Sequence, residues 1–159
     1  MPFLDLLPAR RIRTDLAIAD KPALIHALAD LLATPDVDPA VIHEALLARE
    51  LLGSTGLGRG VAIPHGRSAS LEQPRAAFVR LADPVGFEAI DGSPVDLVAA
   101  LVVPLHFTDQ HLQLLAELAE MFSDRQLTAA LRKAGDADAL RLELAEFKRH
   151  KSRAATWTD

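Results

Sequence analysis

The stretch Val95-Asp-Leu-Val-Ala-Ala-Leu-Val-Val103 carries a single charge and neither glycine nor proline. Alternate side chains of a strand point to opposite faces, so a strand that is apolar at nearly every position needs cover on both. Periodicity alone also admits a core helix, but the valines and the Asp91-Gly-Ser-Pro94 turn before the run favour a strand. The chain must therefore supply a layer above and a layer below a sheet.

Its flanks can provide them. Leu24, Ile25, Leu28, Leu31 and Leu32 recur at helical spacing after Asp20, which suits an N-cap, and Pro22, which suits a first turn. A second helix is expected from about Asp38, with Val41, Ile42, Ala45, Leu46 and Leu52 inward and an end at Gly53. Short extended pieces follow at residues 61–63, 76–82 and 85–90, with Asp83-Pro84 as a turn. Beyond the apolar run, Thr108 is expected to cap a helix with the stripe Leu112, Leu115, Ala116, Ala119 and Phe122. Helices at about 125–133 and 136–147 close the domain. Helices first, strands in the middle and helices last predict an α/β fold: a three-layer sandwich, its mixed β-sheet flanked by helices on both faces. With 159 residues, one domain is expected over 1–147, leaving 148–159 as a flexible, basic C-terminal tail.

Composition removes several classes of function. A net charge of −5 and an aromatic content of 4% argue against a nucleic-acid surface. The lack of cysteine excludes disulfides, thiolate zinc sites and a cysteine nucleophile. Residues 1–8, interrupted by Asp5 and Pro8, make a poor secretory signal, and no apolar run approaches the roughly 20 residues of a membrane span. A cytoplasmic protein with no direct membrane insertion is expected.

Gly53-Ser-Thr-Gly-Leu-Gly-Arg-Gly60 runs straight into Val61-Ala-Ile-Pro-His65-Gly66. A loop so poor in side chains lets a large group approach and offers amides to an anion, which makes Gly53, Ser54, Thr55, Gly56 and Gly58 a candidate phosphate-binding loop. It is no nucleotide loop: Arg59 stands where that motif needs Lys, and Gly60 where Ser or Thr would bind magnesium. The glycine spacing is also wrong for a dinucleotide fingerprint, and the segment precedes a strand. His43-Glu44 lacks a second histidine at position 47, and Ser54 and Ser93 lie in turns outside any nucleophile elbow. A zinc set of His65, His106 and His111 has no carboxylate at ligand spacing, and the last two, five apart, do not share a helix face. Neither metal nor cofactor is expected.

His65, His111 and Arg49 remain. Pro64 and Gly66 restrict the backbone beside His65 and keep bulk away, so the ring is approachable, and a neutral imidazole is a competent phosphoryl acceptor. His111, near a helix start and four residues before Leu115, points inward, where it suits either a second donor or a half-buried packing histidine. Arg49, in a helix's last turn, can grip phosphoryl oxygens or simply meet the helix dipole.

At these residues the chain resembles the enzyme IIA components of the bacterial phosphoenolpyruvate-dependent phosphotransferase system, in the fructose/mannitol/nitrogen class. The matching words are Arg49-Glu50, Gly53-Ser-Thr-Gly-Leu-Gly58, Ala62-Ile-Pro-His-Gly66, Ala89-Ile-Asp-Gly92 with Pro94-Val95, and His111-Leu112. The likeness covers about residues 4–147 and implies an α/β sandwich with no bound cofactor. By the same likeness, His65 matches the phosphorylated histidine, supplied by the histidine carrier protein HPr or a counterpart, and His111 and Arg49 match its supporting residues. The wording is most like the nitrogen-regulatory branch, whose members control partner proteins by phosphorylation state. The alternative it implies is a sugar-transport EIIA handing phosphate to a fructose- or mannitol-type EIIB.

Overall fold

The computed structural model describes residues 2–157, with side chains up to residue 153. Two 3-10 turns, Phe3–Leu6 and Ala9–Arg11, lead into β1 (Ile12–Leu16), α1 (Lys21–Leu32) and α2 (Pro39–Glu50). Then come β2 (Gly56–Gly58), β3 (Val61–Ala62), β4 (His65–Ser68), β5 (Arg75–Val85) and β6 (Val95–Pro104). The helices α3 (Thr108–Ser123), α4 (Arg125–Lys133) and α5 (Ala137–Trp157) complete the chain.

The sheet runs β1-β5-β6-β3-β2, with β4 also pairing β6. β6 is parallel to β3 and β4 and antiparallel to β5, so the sheet is mixed, as expected. Leu97, Ala99, Leu101 and Val103 of β6 pack on the side of Leu114, Leu118, Leu131 and Leu144 from α3, α4 and α5. Val98, Ala100 and Val102 pack on the other side, against Leu24, Leu28, Ile42 and Leu46 of α1 and α2. One apolar strand thus glues two cores, and the three-layer sandwich follows from its alternation.

The first two helices start where the sequence marks them. Asp20 accepts from the Ala23 amide at 2.9 Å and Asp38 from the Ala40 amide at 2.8 Å, with a proline in each first turn.

Other boundaries move. β1 was not expected, because only Ile12 in Ile-Arg-Thr-Asp-Leu is buried and an edge strand needs no more. β5 runs through Asp83-Pro84, which sits at a register shift where a missing amide costs no ladder bond, so residues 76–82 and 85–90 are not two strands. In α3 the stripe is His111, Leu114, Leu118, Met121 and Phe122; Leu112, Ala116 and Ala119 face solvent. Thr108 is the first helical residue, not the cap, and Phe107 holds the N-cap position without a side-chain bond. Leu52 is exposed, lying beyond the last turn of α2. The last helix does not end at Phe147: α5 continues through the basic segment, where Lys151 pairs with Glu120 of α3 and Arg149 with Glu146. Of the expected tail 148–159, residues 158 and 159 lie outside the described residues.

Candidate functional site

Gly66 sets the geometry of the site. A Cβ there would lie 2.6 Å from the Ala45 carbonyl oxygen, so only glycine lets β4 lie this close to the backbone of α2. The contact brings Arg49, one turn further along α2, to the cleft lined by His65. On the opposite side of that cleft, α3 presents His111 from its first turn.

The imidazoles of His65 and His111 meet edge to face, with centroids 5.3 Å apart and planes at 71°. His65 Nδ1 lies 2.8 Å from the Ile63 carbonyl oxygen. A carbonyl can only accept, so Nδ1 holds the proton and Nε2 keeps its lone pair. Burial holds the His65 pKa below its ordinary value, and the Arg49 charge adds to this; the Ile63 bond and the Glu50 carboxylate oppose it in part. His111 is pushed down to about 4, by burial first and then by His65 and Arg67. Both rings are neutral at pH 7. The Nε2 of His111 is buried without a hydrogen-bond partner, a polar atom waiting for an oxygen or a lone pair to meet.

The fold brings His65, His111 and Arg49 together, but not the glycine segment. None of Gly53, Ser54, Thr55, Gly56 or Gly58 is among the residues lining the cleft, and several of their polar groups are taken up inside the protein. The Gly53 amide donates to Glu50 O, the Thr55 amide and Oγ1 to the Glu50 carboxylate, the Gly56 amide to Ser54 Oγ, and Ser54 Oγ to Phe87 O. Gly56 to Gly58 forms a strand instead, joined to β3 by an Arg59-Gly60 turn with φ of 57° and 82°, the left-handed pair of a tight hairpin. In this structure the segment expected to bind phosphate also clasps the end of α2. Its anchor, Glu50, is buried and pairs with Lys21 at 3.0 Å, which ties the start of α1 to the end of α2. Arg49 Nη1 donates to the Gly53 carbonyl at 2.9 Å, so the clasp also fixes the arginine.

A helix start also borders the cleft. The first turn of α3, which includes Thr108 and His111, has no side-chain cap, and an uncapped helix start favours an anion. Arg67, which also lines the cleft, went unnoticed in the sequence, although it stands two residues from His65 and so on the same face of β4. His106 does not join the pair; its exposed ring packs on Phe107 at 4.8 Å. Among the described residues, no three His, Cys, Asp or Glu side chains converge as metal ligands.

The fold and the wording of these segments define a phosphotransferase-system component. The chain belongs to the family described as "Phosphoenolpyruvate-dependent sugar phosphotransferase system, EIIA 2", whose sequence profile matches residues 5–146. It is 43% identical to a nitrogen regulatory protein of Pseudomonas aeruginosa over 76% of this chain and 79% of that one. A nitrogen regulatory protein of Bradyrhizobium diazoefficiens is 38% identical over 88% of this chain and 92% of its own. The crystal structure of the nitrogen regulatory protein IIA-Ntr from Neisseria meningitidis superposes with a TM-score of 0.86 at 42% identity, covering 89% of this chain and 97% of that one. No helix among the described residues is long and apolar enough to cross a membrane.

Proposed function

We propose that the chain is a regulatory phosphocarrier that accepts a phosphoryl group on Nε2 of His65 from an HPr-like protein in the cytoplasm. The observation that carries this reading is the 2.8 Å contact between His65 Nδ1 and the Ile63 carbonyl, which leaves one nucleophilic nitrogen on the cleft side. In the transfer, the P–N bond of the donor phosphohistidine breaks, its electron pair stays with the donor ring, and a new P–N bond forms at Nε2. No cofactor enters the balance.

The new phosphoryl oxygens need positive partners. Arg49 and Arg67 line the same cleft, the α3 start offers amides, and the unpartnered Nε2 of His111 gains an acceptor when it carries the ring proton. Around them Leu52, Leu105 and Leu112 are exposed, an apolar rim against which a protein partner can exclude water. Adding close to two negative charges inside that rim changes which partners dock. The regulatory branch is favoured by the relatives named as nitrogen regulatory proteins. Residues 1–147 carry the chemistry, with 148–159 as an accessory basic segment.

Radiolabelled phosphoenolpyruvate with the upstream proteins is expected to label the wild type, acid-labile, and to spare His65→Ala. Label that persists in the variant moves the acceptor elsewhere. Lost fructose or mannitol uptake on gene deletion, with label passing to an EIIB protein, replaces regulation by transport.

A further inference from the structure

At the sheet edge, the second 3-10 turn, β1 and the start of β5 gather Arg10, Arg11, Arg13 and Arg75 around a recess of about 460 Å³ that shares no residue with the His65 cleft. Two of these guanidinium groups are pinned in the same way. Arg11, 7% exposed, donates from Nε to Ala76 O at 2.9 Å and from Nη2 to Leu6 O at 3.0 Å. Arg75 donates from Nε to Leu32 O at 2.7 Å and from Nη2 to Ala33 O at 3.2 Å. Each keeps Nη1 unused. In Arg11 that atom is buried without an acceptor, whereas in Arg75 it is not among the buried unpartnered atoms and so reaches the surface.

The charges are unbalanced as well. Among the described residues none of the four arginines pairs with a carboxylate, and Asp30 is the one acid on the wall. Burial, with the nearby charges of Arg75 and Arg10, depresses Arg11 to about 10, and burial with Arg10 lowers Arg75. Four like charges around one recess, with Asp30 the one acid on its wall, make it a favourable place for an anion.

We propose that this recess binds a small phosphorylated anion. The free Nη1 of Arg75 would meet the phosphate directly, Arg11 would supply unscreened charge beneath it, and the exposed Arg10 and Arg13 would close over it. Planar guanidinium forks suit phosphate oxygens better than ammonium groups do. The volume falls in the range of small-molecule sites, and Leu16, Leu31 and Val79 give the wall an apolar side for the body of an organic phosphate.

Calorimetry of the purified chain with pyrophosphate and with ADP tests this, comparing wild type, Arg10→Ala and the surface double variant Arg10→Glu with Arg13→Glu. Binding is expected in the wild type, about tenfold weaker in Arg10→Ala and lost in the double variant. Tighter binding of ADP than of pyrophosphate assigns a role to the apolar wall; equal binding means that the phosphate alone is read. Either supports the site. Undiminished binding in the double variant, or no binding of either anion, overturns it. A poly-glutamate peptide that binds where neither small anion does makes the surface a protein-docking face instead.

Discussion

The edge of one imidazole meets the face of the other where His65 and His111 come within 5.3 Å, and both rings are held neutral by burial. The pair is asymmetric. The Nδ1 of His65 has a carbonyl partner, whereas Nε2 of His111 is buried with none. A phosphoryl group on His65 would offer that nitrogen a partner. His111→Ala is therefore expected to fold, to keep His65 as the labelled residue, and to slow transfer by about 100-fold, the usual cost of one positioned donor. A transfer rate equal to wild type removes His111 from the chemistry.

The same burial predicts how stability follows pH. An unfolded histidine takes up a proton near 6.5, whereas folded His111 does not until about pH 4. Between those values the unfolded state binds more protons, so stability is complete above 6.5 and is lost as pH falls toward 4. His65, lowered in the same direction, adds to the slope. Urea midpoints measured from pH 7.5 to 4.5 are expected to fall more steeply for wild type than for His111→Gln. Parallel curves rule out a protonation penalty at His111.

The layer order was legible because β6 advertises burial on both faces, and Asp20 and Asp38 advertise the starts of α1 and α2 by a chemistry local to each. His65, His111 and Arg49 were legible as a set because the motifs around them stay near in sequence to the elements that aim them. What failed was decided by distant partners. The amides of the glycine segment look free in the sequence, and only the fold shows Glu50 and Phe87 already using the neighbouring groups. His111 was read correctly as pointing inward on α3, but the apolar stripe was also given Leu112, Ala116 and Ala119, which face solvent. β1 has no pattern of its own; it is a strand because β5 pairs with it.

Glu50 gives a sharper test of the clasp than its glycines do. Its carboxylate is 4% exposed, accepts from the Thr55 amide and hydroxyl at 2.9 and 2.7 Å, and pairs with Lys21. Glu50→Ala leaves Lys21, itself only 15% exposed, without its partner and frees the segment that fixes Arg49. Loss of one member of a buried pair costs about 3–5 kcal/mol, so chemical denaturation is expected to show a fall of that size. In a double-mutant cycle with Lys21→Met, the two changes are expected to be less than additive. Strict additivity means that the ion pair holds nothing together.

Gly66→Ala probes the contact on which the whole site depends. The added carbon would stand 2.6 Å from the Ala45 carbonyl oxygen and 3.1 Å from its Cβ. The nearest atom is helix backbone, which cannot swing aside as a side chain can, so α2 must move away from β4. Overpacking of this kind costs about 1–3 kcal/mol, and the displaced helix carries Arg49 with it. Stability and phosphoryl acceptance are expected to fall together, while Gly86→Ala, where the new carbon meets nothing within 4 Å, leaves acceptance unchanged. If Gly66→Ala lowers the unfolding midpoint but accepts phosphoryl at the wild-type rate, the approach of α2 to β4 serves packing alone and does not position Arg49.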